Sequence, residues 1–218
     1  MNKLLTLALV FMCSMPLHAQ NDVTRFLGIP VEGSKSEIIR QLKAKGYRNL
    51  SHDSDILTGE FNGRNVNISV VTNNNKVYRI MVVDAAGSDE KSIQILFNTL
   101  CRQFGSNSRY LSLGDQTISD DEDISYEMTV HKKRYEAIFY QIPADLTSLT
   151  KNVEEFISQY MNEQNKNLSE EDILKKASEC ATEMYSKPVW FKINRHFGEY
   201  YIIMYYDNEY NRANGEDL

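Results

Sequence analysis

The chain has 218 residues, with 24 Lys and Arg against 30 Asp and Glu and a net charge of −6 at pH 7. That balance argues against a partner held by charge, nucleic acid or an anionic membrane, since such binding needs concentrated Lys and Arg. Apolar residues make up 42% of the chain, ample for a real core.

Residues 1–20 read as a leader rather than as part of the fold. A short positive start, Met1-Asn2-Lys3, precedes an almost unbroken apolar run, Leu4–Met12, and a polar end closing on Ala19-Gln20. This is the pattern of a secretory signal, with cleavage expected after Ala19 or Gln20. The apolar core is too short to span a bilayer, which takes about 20 residues. Cys13 is preceded by Val10-Phe11-Met12, without the small residue a lipidated cysteine requires. The expected mature protein is exported and soluble, periplasmic or secreted, with association at the outer membrane as a further address. Residues 21–218 then form a single α+β domain, with a point of subdivision near 106–123. Cys101 and Cys180 remain after cleavage, and two buried thiols or one bridge both fit the pattern.

Taken in order, the first element is a helix opened by Ser34 and Glu37 at capping-box spacing. Ile38, Ile39 and Leu42 give it an apolar stripe, and Gly46 ends it with Tyr47 folding back over Leu42. Ser51–Asp55 reads as a polar loop and Ile56–Phe61 as a strand. Asn62-Gly63 is the strongest local signal for a type I′ turn, and the return strand Arg64–Thr72 places Val66, Ile68 and Val70 on one face. A turn at Asn73-Asn74-Asn75 leads to a third strand, Lys76–Val83.

Gly87-Ser88-Asp89 opens a second helix, striped by Ile93, Leu96, Phe97, Leu100 and Phe104 and closed by Gly105. The irregular stretch Ser106–Ser125 follows, with a short strand at Arg109–Leu113. Tyr126–His131 and Arg134–Ile142 read as a hairpin about Lys132-Lys133, because Tyr126, Met128 and Val130 alternate. A third helix is expected from Thr147 and a fourth from Ser169, the latter carrying Ile173, Leu174, Ala177 and Met184 and stopping before Pro188. Two last strands, Val189–Asn194 and Tyr200–Tyr206, turn around Phe197-Gly198.

Helix leads into meander or hairpin three times, and no parallel crossover is needed. The expected fold is α+β: a mainly antiparallel sheet of seven or eight strands with helices packed on one face, built from successive helix-then-meander units. The segments F-L-G-I-P-V-E-G-S-K-S-E, L-T-G-E-F-N-G-R and Y-Y-D-N-E-Y-N-R-A-N-G-E-D-L resemble a family of exported bacterial proteins of unknown function, over most of the mature chain. The layout is also similar to the β-lactamase-inhibitor-protein and outer-membrane assembly lipoprotein group. The chain lacks the lipidated cysteine of the second and the disulfide-rich pattern of the first. Fold-level likeness implies no activity.

The chemistry-bearing residues are sparse. His52, His131 and His196 lie in expected loops or turns, none beside a G-x-S-x-G elbow or in an H-E-x-x-H helix. Glu60, Glu127 and Glu136 alternate with apolar neighbours on expected strands, as on a solvated face. Asp120-Asp121-Glu122-Asp123 lacks the spacing that wraps a calcium ion. No cofactor is implied. The last hairpin is the unusual stretch, dense in aromatics, with Trp190 expected to face outward beside Lys192 and Tyr201 and Tyr205 sharing a face. Aromatics on a sheet surface anchor protein partners or stack on sugars. The candidate binding residues are therefore Trp190, Tyr201 and Tyr205. The reading favours a non-enzymatic module that binds another envelope or secreted protein, with a carbohydrate-binding or glycoside-processing protein as the alternative.

Overall fold

The computed structural model describes residues 22–51, 53–143, 151, 154–155, 158 and 170–212. Two short strands, β1 (Arg25–Phe26) and β2 (Ile29–Pro30), form a small hairpin before helix α1 (Lys35–Ala44). Ser34 caps α1 by accepting from the Glu37 amide at 3.3 Å. The Glu37 carboxylate does not complete the expected box and turns instead to Arg40 and Gln41. Gly46, at φ 99°, ends the helix. The Gly46 amide reaches Lys43 O and the Tyr47 amide reaches Leu42 O, the paired bonds of a Schellman stop.

Strands β3 (Arg48–Leu50), β4 (Asp53–Phe61), β5 (Arg64–Asn73) and β6 (Lys76–Asp84) then form a meander. The loop expected at Ser51–Asp55 is shorter than the polar residues suggest, because Leu50 already pairs with Asp53 across an irregular step. Asn62 and Gly63 sit at φ 50° and 74°, and Phe61 pairs with Arg64, as a type I′ turn requires. Asn74 and Asn75 repeat the device at 46° and 63°. Val66, Ile68 and Val70 are all buried. Gly59 lets the Tyr47 ring lie on β4, for a Cβ there would meet that ring at 2.5 Å.

Helix α2 (Glu90–Ser106) starts at an Asp89 cap and runs through Gly105, which does not end it. After it come β7 (Tyr110–Ser112), a short helix α3 (Ile124–Tyr126) continued by a π-helical turn (Glu127–His131), β8 (Glu136–Gln141) and α4 (Glu170–Met184). Strands β9 (Pro188–His196) and β10 (Glu199–Asp207) close the fold. The hairpin expected at Tyr126–Ile142 is absent. Asp123 caps Tyr126, Glu127 and His131 bond one turn apart at 2.8 Å, and Lys132 stops the coil at φ 57°. Met128 is half-buried while Tyr126 and Val130 are half in water, so the alternation was that of a one-sided helical turn. The helix expected from Thr147 lies largely outside the described residues, as do the side chains of Ile173 and Ala177. On α4, Leu174 is 71% exposed.

The eight strands order as β3-β4-β5-β6-β10-β9-β8-β7, and every neighbouring pair is antiparallel. This order divides the chain into two units, each a helix followed by four strands, joined at their last strands. A two-fold axis normal to the sheet between β6 and β10 relates strand order and direction in the two units. Such an axis leaves each face on its own side, so α1 and α2 cover the same face. Ile38 and Leu42 of one and Phe97 and Leu100 of the other enter one continuous core. The units differ in two connections: residues 51–52 between the first and second strands of the first unit answer to residues 113–135 in the second, and Asn62-Gly63 between the second and third strands answers to residues 142–187. Among the described residues no helix is long and apolar enough to cross a membrane.

Candidate functional site

Alternation along β9 buries Val189, Phe191 and Ile193 and sends Trp190 and Lys192 to the face opposite the helices. Trp190 is half-buried and lies directly across from Tyr205 on β10. The two rings stack with centroids 4.1 Å apart and planes at 21°. The Trp190 indole N–H donates to Asp207 Oδ2 at 3.0 Å. Asp207 is 2% exposed, and a carboxylate taken that far out of water needs charged and hydrogen-bonding partners. Arg79 on β6 supplies them through Nε and Nη2 at 2.6 and 2.7 Å.

The same guanidinium lies 4.6 Å from the Tyr205 centroid and 5.5 Å from that of Trp190. Its bonds to Asp207 raise the Arg79 pKa, and burial raises that of the Tyr205 phenol. Trp190 and Tyr205 thus belong to a four-residue assembly with Arg79 and Asp207. A shallow depression of about 350 Å³ beside it is walled by Ile138, Glu136, Glu209 and Arg212.

Tyr201 shares the outward face but stands four residues from Tyr205, opposite Asn194, and its hydroxyl donates to Glu199 at 2.8 Å. The structure therefore joins two of the three candidate residues and sets the third apart. Toward the hairpin tip is a residue the sequence reading left without a role. Phe197 is 94% exposed at φ 50°, the first centre of a type I′ turn, and only the His196 ring packs on it among the described residues. The signal was present: a bulky aromatic occupies a position for which Asn, Asp or Gly are preferred.

The other constellations resolve individually. His131 pairs with Glu127 on the π-turn, His196 ends β9, and His52 lies outside the described residues. Glu60 and Glu136 stand on strands in opposite halves of the sheet, Glu136 ion-paired to Arg134, while Glu127 is not on a strand at all. In the acidic run, Asp121 accepts from Ser119, Glu122 holds Lys133 and Tyr135, and Asp123 caps α3. Among the described residues no group of three or more His, Cys, Asp and Glu is placed to hold a metal. Cys101 and Cys180 are both free thiols. Burial, with Asp115 nearby, pushes the Cys101 thiol up to about 12, the state of an inert structural cysteine.

In comparison with known proteins, no family model, curated protein or solved structure matches the chain.

Proposed function

We propose that the chain is exported and serves as a non-enzymatic binding module, gripping another envelope or secreted protein through the β9–β10 hairpin. The observation that carries this reading is Phe197. Among the other tight tips, Leu27-Gly28 also carries a bulky residue, but one only 39% exposed, while Asn62-Gly63 and Asn74-Asn75 take left-handed backbone cheaply. A phenylalanine there costs about 1–2 kcal/mol in backbone strain, and its ring gains nothing from water. A partner pocket that takes the ring would remove its exposure to water, and buried aromatics are the usual anchors of such interfaces. Tyr201 and the Trp190–Tyr205 stack extend the same hairpin toward its base. The carbohydrate reading is less well supported, because the indole it would use as a platform is already stacked on Tyr205 and bonded to Asp207.

Phe197→Asn supplies the test. The variant should unfold at equal or higher denaturant, by up to about 1 kcal/mol, and should lose a specific partner that the wild-type protein captures from envelope extract. Capture unchanged by the substitution would refute the hairpin as the anchor. The leader rests on its own experiment: N-terminal sequencing of the exported protein should begin at Gln20 or Asn21, and a chain still beginning at Met1 would overturn export by cleavage.

A further inference from the structure

On the face that carries the helices, a groove of about 1190 Å³ runs along the seam between the two units. Its floor is apolar, made by Phe61, Leu100, Phe104, Met204 and Tyr206, and its mouth is basic, with Arg25, Lys45 and Arg109 all exposed. Among the described residues none of these three cations forms an ion pair. Arg25 reaches the Gly28 carbonyl at 3.3 Å and Arg109 the Asn107 side-chain oxygen at 3.5 Å. The groove also holds Lys187, engaged with Asp22 at 2.6 Å, and one exposed carboxylate, Glu60. A mouth with an excess of positive charge is out of keeping with a chain of net charge −6.

The two arginines are held in place by one strand end. The Gln141 side chain brackets the Arg25 backbone, accepting from its N–H at 2.8 Å and donating to its C=O at 2.7 Å. One residue on, the Ile142 amide donates to the Arg109 carbonyl at 3.0 Å. Two guanidinium-bearing segments far apart in sequence are thereby pinned to consecutive residues at the groove's rim. Guanidinium groups bind carboxylates through paired, charge-assisted hydrogen bonds, and an apolar floor beneath them accommodates a hydrocarbon chain.

We propose that this groove binds an amphipathic anion, a single acyl chain ending in a carboxylate, with the head between Arg25 and Arg109 and the tail along Phe61, Phe104 and Met204. The site uses the inward residues Met204 and Tyr206 of β10 but none of Trp190, Phe197, Tyr201 and Tyr205, so it stands or falls independently of the hairpin's proposed role.

Calorimetric titration of the mature protein with dodecanoate tests the assignment, with acetate and dodecyltrimethylammonium as comparators. Dodecanoate should bind saturably at one site, acetate should not bind, and the cationic amphiphile should bind at least about tenfold more weakly. Arg25→Glu with Arg109→Glu should lower dodecanoate affinity at least about tenfold, while Phe197→Asn leaves it unchanged. Should the double charge reversal fail to fold, as a circular-dichroism melt would reveal, Arg25→Gln with Arg109→Gln provides the same comparison with less perturbation. Absence of saturable binding, equal binding of the cationic amphiphile, or affinity that survives removal of both arginine charges would each overturn the proposal.

Discussion

Replacing Arg79 by Met is expected to destabilise the fold by about 3–5 kcal/mol, because it leaves the Asp207 carboxylate buried without its counter-charge. The expectation rests on burial rather than on the attraction between the two groups. Asp207 is 2% exposed, and among the described residues its remaining side-chain bond would be the single N–H of Trp190. Met keeps most of the aliphatic bulk against Tyr205, so lost packing contributes little. Asp207→Asn in the same background should recover much of the loss by removing the stranded charge. Urea unfolding of the two single variants and the double variant measures the coupling directly. A loss below about 1 kcal/mol for Arg79→Met would mean that the pair behaves as an exposed salt bridge.

Phe191→Ala is expected to cost a comparable amount, about 3–5 kcal/mol, through the void it opens. Phe191 is fully buried, with the rings of Phe97, Phe104 and Phe139 at centroid distances of 5.1, 5.8 and 6.0 Å. Those neighbours come from α2 and β8, so the side chain joins the helix of the second unit to its sheet. Rings fixed on separate backbone elements cannot collapse into the gap. Phe191→Leu, which keeps most of the volume, should cost less than about 1.5 kcal/mol. Equal losses for Ala and Leu in a denaturant melt would rule out cavity formation as the cause.

The difference between what the sequence disclosed and what it concealed follows the range of the interactions. Asn62-Gly63 was legible because a type I′ turn is decided by two adjacent residues, and Val66, Ile68 and Val70 followed from it by period. The π-turn was concealed because Tyr126, Met128 and Val130 imitate strand alternation over too short a span. Its true determinants are a cap from Asp123 and a left-handed stop at Lys132. In the hairpin, the outward direction of Trp190 was legible from its apolar neighbours. Its environment was not, because Arg79 comes from a strand 128 residues before Asp207. The groove was wholly concealed, for its wall draws on the N-terminal hairpin, the residue just past α1, the end of β4, α2, the loop before β7 and β10. Local chemistry wrote the units, and long-range pairing wrote the sites.

The seam between β6 and β10 bears on how the chain assembles. The strand pairs of the first unit and the β9–β10 hairpin each close over two residues, but Val82 meets Met204 only after more than a hundred others are in place. Chain entropy makes that long-range contact slower to form than the local turns. A first unit formed ahead of it presents β6, rich in Val, Ile and Met, with a row of amide and carbonyl groups awaiting β10, the last of the described strands. Such an unpaired edge is where misassembly begins in β-proteins. The protein's most vulnerable moment is therefore the interval before β10 arrives, and β10 acts as the stopper that ends it.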